Sequence, residues 1–351
     1  MSKFLNEKYS ALKPYTPGEQ PKDKKYIKLN TNESPFPPSP LAIEYAAKEL
    51  YELMLYPDPD VSLLTEMMAN ELGVSKDEVL LTNGSDEALN FAFMAYCSDK
   101  RPAIFPDITY GFYKVFADIC AVPYTEIPLT DTMEIRIDDY IGRGGVTFIA
   151  NPNAPTGILL PLSEIRRLIE GTDGMVVVDE AYVDFGGESA VSLIHEYDNL
   201  LVVGTFSKSR SMAGARLGYA AASSRIIEDL KKIKYSTNPY NVNRATAAAG
   251  VGALADKDYF RSNCEKIIKN REWCTSELRA LGFCVLPSFA NFVFAKSCAI
   301  GGEDLYLALK QKGILVRHFK NERIRDFVRI TIGNEDQMYA LVDKIKEILE
   351  K

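Results

Sequence analysis

Histidine is almost missing from this chain: 351 residues hold two, His195 and His318. A metal site built on several histidines is thereby excluded, and a Ser-His-Asp hydrolase is disfavoured. Basic residues are not in excess, since 41 Lys and Arg stand against 48 Asp and Glu. The resulting net charge of −7 argues against a broad nucleic-acid surface. No apolar run is long enough to span a bilayer. The opening residues Met1–Lys8 hold no apolar signal region. The six cysteines, Cys97, Cys120, Cys264, Cys274, Cys284 and Cys298, include no C-x-x-C pair. They read as reduced, mostly buried thiols. The expected location is the cytoplasm.

What is present is an ordinary soluble composition, 46% hydrophobic and 25% charged. The length suits a large core in two lobes. Pro14, Pro17, Gly18 and Pro21 interrupt an N-terminal arm, and Asn32–Pro40 is a proline-rich loop. Helices are expected over Leu41–Leu55 and Ser62–Leu72, the second stopped by Gly73. Strands and helices then alternate. Val79–Thr82, Ala103–Phe105, Val146–Ala150, Met175–Asp179 and Leu200–Gly204 read as short apolar strands, separated by helices such as Ser85–Tyr96, Gly111–Asp118 and Leu162–Glu170. Uniformly apolar strands mark a parallel sheet covered on both faces. Such sheets bind ligands at the carboxyl ends of their strands.

After about residue 245 the pattern changes to a smaller α+β lobe. A charged helix, Tyr259–Leu281, leads to strands at Phe283–Leu286, Phe292–Ala295, Gly313–Arg317 and Phe327–Ile332. The closing helix carries Met338, Leu341, Val342, Ile345, Ile348 and Leu349 at helical spacing, which reads as core. The expected division is 31–245 for the large domain, with 1–30 and 246–351 as arm and small domain.

Four segments fall at strand ends. Lys208 follows the apolar run Leu200–Val203 within Thr205-Phe206-Ser207-Lys208. A lysine there suits an amine that holds an aldehyde cofactor as a Schiff base; taken alone it is also an ordinary surface lysine. Asp179 ends Met175–Val178, where a carboxylate is costly without a cationic partner such as a protonated pyridine nitrogen. Tyr182 can bond the ring's phenolic oxygen. Asn83–Glu87 opens a helix, whose free N–H groups and dipole bind phosphate; Ser85 is equally a plain helix cap. Asn151–Gly157 fixes a turn, with Asn153 free to donate. Ser207 and Arg216 can hold the same phosphate, and Tyr110 can stack on an aromatic ring. Together these groups supply what pyridoxal phosphate needs.

In these motifs the chain resembles the fold-type I pyridoxal-phosphate aminotransferases. The resemblance runs nearly end to end, through Leu12–Tyr15, Leu29–Pro35, Tyr56–Asp58, Asn83–Glu87, Asn151–Gly157, Val178–Tyr182, Thr205–Tyr219, Pro239–Asn243 and Val328–Gly333. The Asn-Glu-Ser-Pro loop and the Arg-Ile-Thr-Ile-Gly strand favour the histidinol-phosphate subfamily. The fold so implied is α/β: a large domain with a mostly parallel central sheet covered by helices, plus a smaller α+β domain.

The resemblance implies roles. Lys208 bonds the cofactor and moves the proton, Asp179 pairs with the ring nitrogen, Tyr182 bonds the phenolic oxygen, and Tyr110 stacks on the ring. Ser85, Asp86, Ser207 and Arg216 surround the phosphate, and Tyr56 reaches it from the neighbouring subunit of a homodimer. Arg329 grips the carboxylate of glutamate or 2-oxoglutarate, and Tyr15 and Arg317 are candidates for the phosphate of histidinol phosphate. The family often has asparagine before Pro-Thr-Gly where this chain has Ala154, and Asn153 is the candidate to replace it. A broad aromatic aminotransferase or a threonine-phosphate decarboxylase on the same fold remain alternatives, with a non-catalytic cofactor-binding regulator more remote.

Overall fold

The computed structural model describes residues 2–10 and 12–350. Its strands are β1 (Ile27–Lys28), β2 (Val79–Thr82), β3 (Ala103–Pro106), β4 (Tyr124–Ile127), β5 (Val146–Ala150), β6 (Val176–Asp179), β7 (Leu200–Thr205), β8 (Gly218–Ala222), β9 (Phe283–Val285), β10 (Phe292–Ser297), β11 (Ile314–Leu315), β12 (Arg317–His318) and β13 (Phe327–Thr331). Its α-helices are α1 (Pro40–Glu49), α2 (Ser62–Leu72), α3 (Ser85–Tyr96), α4 (Phe112–Cys120), α5 (Leu162–Glu170), α6 (Ser224–Thr237), α7 (Arg244–Ala255), α8 (Lys257–Ala280), α9 (Gly302–Gln311) and α10 (Glu335–Leu349).

Seven strands form the central sheet in the order β2-β8-β7-β6-β5-β3-β4. All its pairings are parallel except those made by β8, which runs antiparallel to both neighbours. Alternate residues of a strand face opposite sides. Val176 and Val178 therefore join one core, with Leu64 of α2, Leu168 of α5 and Ala249 of α7. Val177 joins the other, with Phe93 of α3, Phe116 of α4 and Ile227 of α6. Burial on both faces is why these strands read as unbroken apolar runs. The expected mostly parallel, helix-covered sheet is what the chain forms.

A second sheet is antiparallel, in the order β12-β13-β10-β9. It packs with α8, α9 and α10 around Ile267, Leu305, Leu341 and Ile345. An Asn334–Gln337 capping box opens α10. The N-terminal segment is tied to this part of the molecule. β1 pairs with β11, and Thr331 of β13 donates its N–H to the Leu29 carbonyl.

The helix expected over Leu41–Leu55 stops at Glu49 and continues as a short 3-10 turn, Leu50–Glu52. α1 packs along α7, and Glu49 forms an ion pair with Arg244, the first residue of α7, at 2.8 Å. The strand β8 escaped the sequence reading because Gly-Tyr-Ala-Ala-Ala lacks branched residues. Its small residues permit close packing: a Cβ on Gly218 would stand 2.4 Å from the Ser85 nitrogen.

Candidate active site

The carboxyl ends of β5, β6 and β7 converge on a cavity. Ala150, Asp179 and Thr205, the last residues of those strands, all line it. So do Ser85, Asp86, Tyr110, Tyr182, Ser207, Lys208 and Arg216. Chain reversals after each strand put these residues together, as expected at the open end of a parallel sheet. Neither histidine lines the cavity. His195 sits against Glu78 at 3.0 Å, and His318 bonds the Arg325 carbonyl at 2.7 Å.

Asp179 is 4% exposed. Its Oδ2 accepts from the Tyr113 hydroxyl at 3.0 Å, and its Oδ1 from the Ala181 N–H at 3.2 Å. Burial pushes the carboxyl up to about 6; these two hydrogen bonds oppose the rise, and nearby Asp86 adds to it. No lysine or arginine stands within ion-pair distance of Asp179 among the described residues. A buried carboxylate with two neutral donors and no cation is a seat for a cationic group brought by a ligand.

The opposite requirement appears at α3. Gly84 cannot cap the helix, so the first-turn N–H groups have no side-chain acceptor. Arg216 donates to Asp86 Oδ2 at 3.1 Å and to Ser207 Oγ at 3.4 Å. Gly84 adopts φ +79°, and a Cβ there would come 2.6 Å from the Arg216 Nη2. Helix N–H groups, a serine hydroxyl and a guanidinium in one corner make an anion site. The Asp86 carboxylate is already held by Arg216 and by the Tyr110 hydroxyl at 2.6 Å, so its backbone N–H is what it offers an anion.

Lys208 lines the same cavity, its Nζ 3.5 Å from the Thr31 carbonyl and 5.9 Å from the centre of the Tyr182 ring. A cavity with a lysine amine, a buried carboxylate lacking its cation and an anion corner fits pyridoxal phosphate group by group. The ring nitrogen matches Asp179, the aldehyde Lys208, and the phosphate the Ser85–Ser207–Arg216 corner.

Two expected residues stand elsewhere. Asn153 is buried, but both amide hydrogens are used, on the Ile108 carbonyl at 3.0 Å and on Thr156 Oγ1 at 3.2 Å. Its Oδ1 accepts from Thr109 at 2.7 Å. The carboxamide is thus spent on the turn, and the neighbour that faces the cavity is Ala154. In this structure Asn153 is not among the residues that line the cavity. Tyr56 is 77% exposed and stacks on Tyr240, ring centres 4.6 Å apart, outside this cavity.

The arginines form a pair of their own. Arg317 and Arg329 are direct cross-strand partners between β12 and β13. Like charges so placed repel, and neither meets a carboxylate within ion-pair distance among the described residues. Arg329 donates to the Asn30 carbonyl at 3.1 Å, but its Nε is enclosed without a partner. Burial pulls its guanidinium down from the usual range. Arg317 holds the arm through the Thr16 and Pro17 carbonyls, at 3.2 and 3.4 Å. That brings along Tyr15, whose ring packs on Phe112 at 4.3 Å, beside Tyr110.

The family model for aminotransferases of class I and II matches residues 24–345. The chain belongs to this family. Among relatives, the histidinol-phosphate aminotransferase of Clostridium acetobutylicum is 47% identical over 351 residues, covering 99% of this chain and 100% of the relative. That of Brachyspira hyodysenteriae is 48% identical over 357 residues and covers both chains completely. A solved histidinol-phosphate aminotransferase from Clostridium acetobutylicum superposes with a TM-score of 0.85 at 25% identity, over 92% of this chain and 99% of the other.

Sequence reasoning missed several residues of this class I and II site. Thr205 lines the cavity, Tyr113 holds Asp179, and Asn32 donates to the Tyr182 hydroxyl at 2.9 Å. Tyr113 sits in an apolar helix where nothing local marks it. Asn32 lies inside the Leu29–Pro35 motif, but the motif gives it no role of its own.

Proposed function

We propose that this chain is a pyridoxal-phosphate-dependent aminotransferase that moves the amino group between histidinol phosphate and 2-oxoglutarate. One observation carries the reading. Lys208 and the cation-lacking carboxylate of Asp179 line one cavity whose corner is built for an anion. The relatives from Clostridium acetobutylicum and Brachyspira hyodysenteriae narrow the substrate to histidinol phosphate.

Bound pyridoxal phosphate supplies an electron-withdrawing ring that stabilises negative charge developing at the substrate's Cα. Asp179 holds the proton at the ring nitrogen, and that positive charge in turn keeps Asp179 ionised. Ser85, Ser207 and Arg216 hold the phosphate, and Tyr182 donates to the ring oxygen. Lys208 would hold the cofactor's aldehyde at rest, and its amine, when free, would act as the base at the substrate's Cα and hold that proton for return. Because one half-reaction must finish before the second substrate enters, kinetics of the ping-pong type are expected.

Arg329 binds the carboxylate of glutamate or 2-oxoglutarate, using the Nε that lacks a partner. Arg317 and Tyr15 bound the same end and meet the phosphate of histidinol phosphate. The protein acts as a homodimer, with Tyr56 contributed to the neighbour's phosphate corner. Support comes from the exposed apolar surface of Ile43, Leu50, Tyr51, Leu53, Met54 and Leu55 around it. Equilibrium sedimentation tests the dimer.

The substrate assignment is tested by comparing histidinol phosphate, phenylalanine and tyrosine as donors to 2-oxoglutarate. A strong preference for histidinol phosphate is expected. Preference for the aromatic amino acids, or release of carbon dioxide from threonine phosphate, contradicts it.

A further inference from the structure

Asn32 does not line the cavity, yet every polar group it owns points into the network behind it. It is 1% exposed and adopts φ +56°. Its N–H donates to Thr331 Oγ1 at 2.9 Å, and the Thr331 hydroxyl donates back to Asn32 Oδ1 at 3.0 Å. Its carbonyl accepts from Asn291 Nδ2 at 3.0 Å. The remaining group, Nδ2, donates to the Tyr182 hydroxyl oxygen at 2.9 Å.

The proton count fixes which way the carboxamide faces. In this orientation the Thr331 hydroxyl hydrogen has Oδ1 as its acceptor. Turned over, the amide would present hydrogens to Thr331 and leave that buried hydroxyl hydrogen without one. With an N–H on one lone pair of the Tyr182 oxygen, Tyr182 finds no acceptor on the Asn32 side. Its own hydrogen is left for the cavity, which its side chain lines. Ala154 adds only a methyl to that lining, and the Asn153 carboxamide is spent elsewhere.

We propose that Asn32 is a positioning residue that directs the Tyr182 hydroxyl hydrogen into the cavity, so that Tyr182 donates to the ring oxygen of the bound cofactor. The inference rests on the cofactor assignment made under the proposed function. The surroundings of Asn32 suit such a role, since the Thr331–Asn32 pair is anchored in β13 and buried. A donor aimed at the ring oxygen favours the form of the chromophore in which that oxygen is most negative, the deprotonated one. Losing the donor therefore moves the chromophore's titration to higher pH. Lys208 belongs to the chromophore itself; Asp179, Asp86, Tyr110 and Arg216 around the cavity, and Arg329 near Tyr182, also act on its titration. Variants that leave all of them in place isolate the contribution of Asn32.

The test is a pH titration of the visible absorbance of protein reconstituted with pyridoxal phosphate. Asn32→Gly removes the amide and accepts the left-handed backbone. Asn32→Asp keeps the shape but offers only acceptors, which turns the Tyr182 hydrogen away from the cavity, and it carries the test should glycine loosen the loop. Both are expected to raise the titration midpoint by roughly half to one pH unit, the scale of one lost hydrogen bond. Asn32→Gly combined with Tyr182→Phe should match Tyr182→Phe alone, because Asn32 acts through that hydroxyl. Midpoints equal to wild type, or shifts that add in the double variant, overturn the proposal. A wild-type protein with no visible band overturns the cofactor assignment instead, which is a separate result.

Discussion

The Tyr113 hydroxyl donates to Asp179 Oδ2 at 3.0 Å, joining a fully buried tyrosine of α4 to the last residue of β6. The bond acts against burial, which favours the neutral acid. On the proposed function Asp179 would have to be ionised to hold a ring proton, and Tyr113 supports that form.

Tyr113→Phe removes this donor and nothing else polar. Asp179 should then rise further above about 6. Hydrogen bonds to charged groups are worth about 1.5–3 kcal/mol, so cofactor affinity should fall roughly tenfold or more. The deficit should be larger at pH 6.5, where the variant's carboxyl is mostly protonated, than at pH 8.5, where both proteins are ionised. Absorbance titration of the cofactor-free protein at the two pH values measures it. Equal affinities for variant and wild type would count against the role of Tyr113.

Glu180, beside Asp179, is 3% exposed and accepts from Ser189 and from the Ala190 N–H, both at 2.6 Å. Burial pushes it up to about 8 from an ordinary 4.5. The folded state thus holds a proton that the unfolded chain has released between those two values. Stability contributed by this group is present at low pH and is lost as pH rises through the window. Glu180→Gln keeps the shape and removes the titration. Wild type should lose stability relative to the variant on going from pH 5 to pH 8, by up to roughly 1.4 kcal/mol per pH unit. Urea unfolding at both pH values gives the difference; parallel pH profiles would contradict it.

Legibility followed chain locality. Asp179 could be placed because it ends a run of apolar, branched residues, and Ser207 and Lys208 because they closely follow one; such ends share one edge of the sheet. Tyr113 and Asn32 could not. Their partners lie 66 and 150 residues away, and no local pattern joins them. The surroundings of Asn153 were hidden for a related reason. The sequence places it in a turn near the site, but only the packed structure reveals that Ile108, Thr109 and Thr156 consume its carboxamide. Likewise β8, Gly-Tyr-Ala-Ala-Ala, is buried along its whole length and so shows no alternation of apolar and polar residues.

On the proposed reading, Arg329 and Arg317 serve different substrates. Arg329→Lys keeps the charge but loses the planar fork. The KM for glutamate should rise roughly tenfold or more, in line with the loss of a charge-assisted hydrogen bond. Arg317→Ala also releases the arm carbonyls at Thr16 and Pro17. It should lower kcat/KM for histidinol phosphate much more than for phenylalanine, which has no phosphate. Steady-state kinetics with both donors decide, and an unchanged ratio between them would remove Arg317 from phosphate recognition.

The most direct measurement is borohydride reduction of the cofactor-loaded protein, followed by digestion and mass mapping of the labelled peptide. One pyridoxyl group on Lys208 is expected, with Lys208→Ala unlabelled. Label on another lysine, or no label on a protein that still transaminates, would contradict the account.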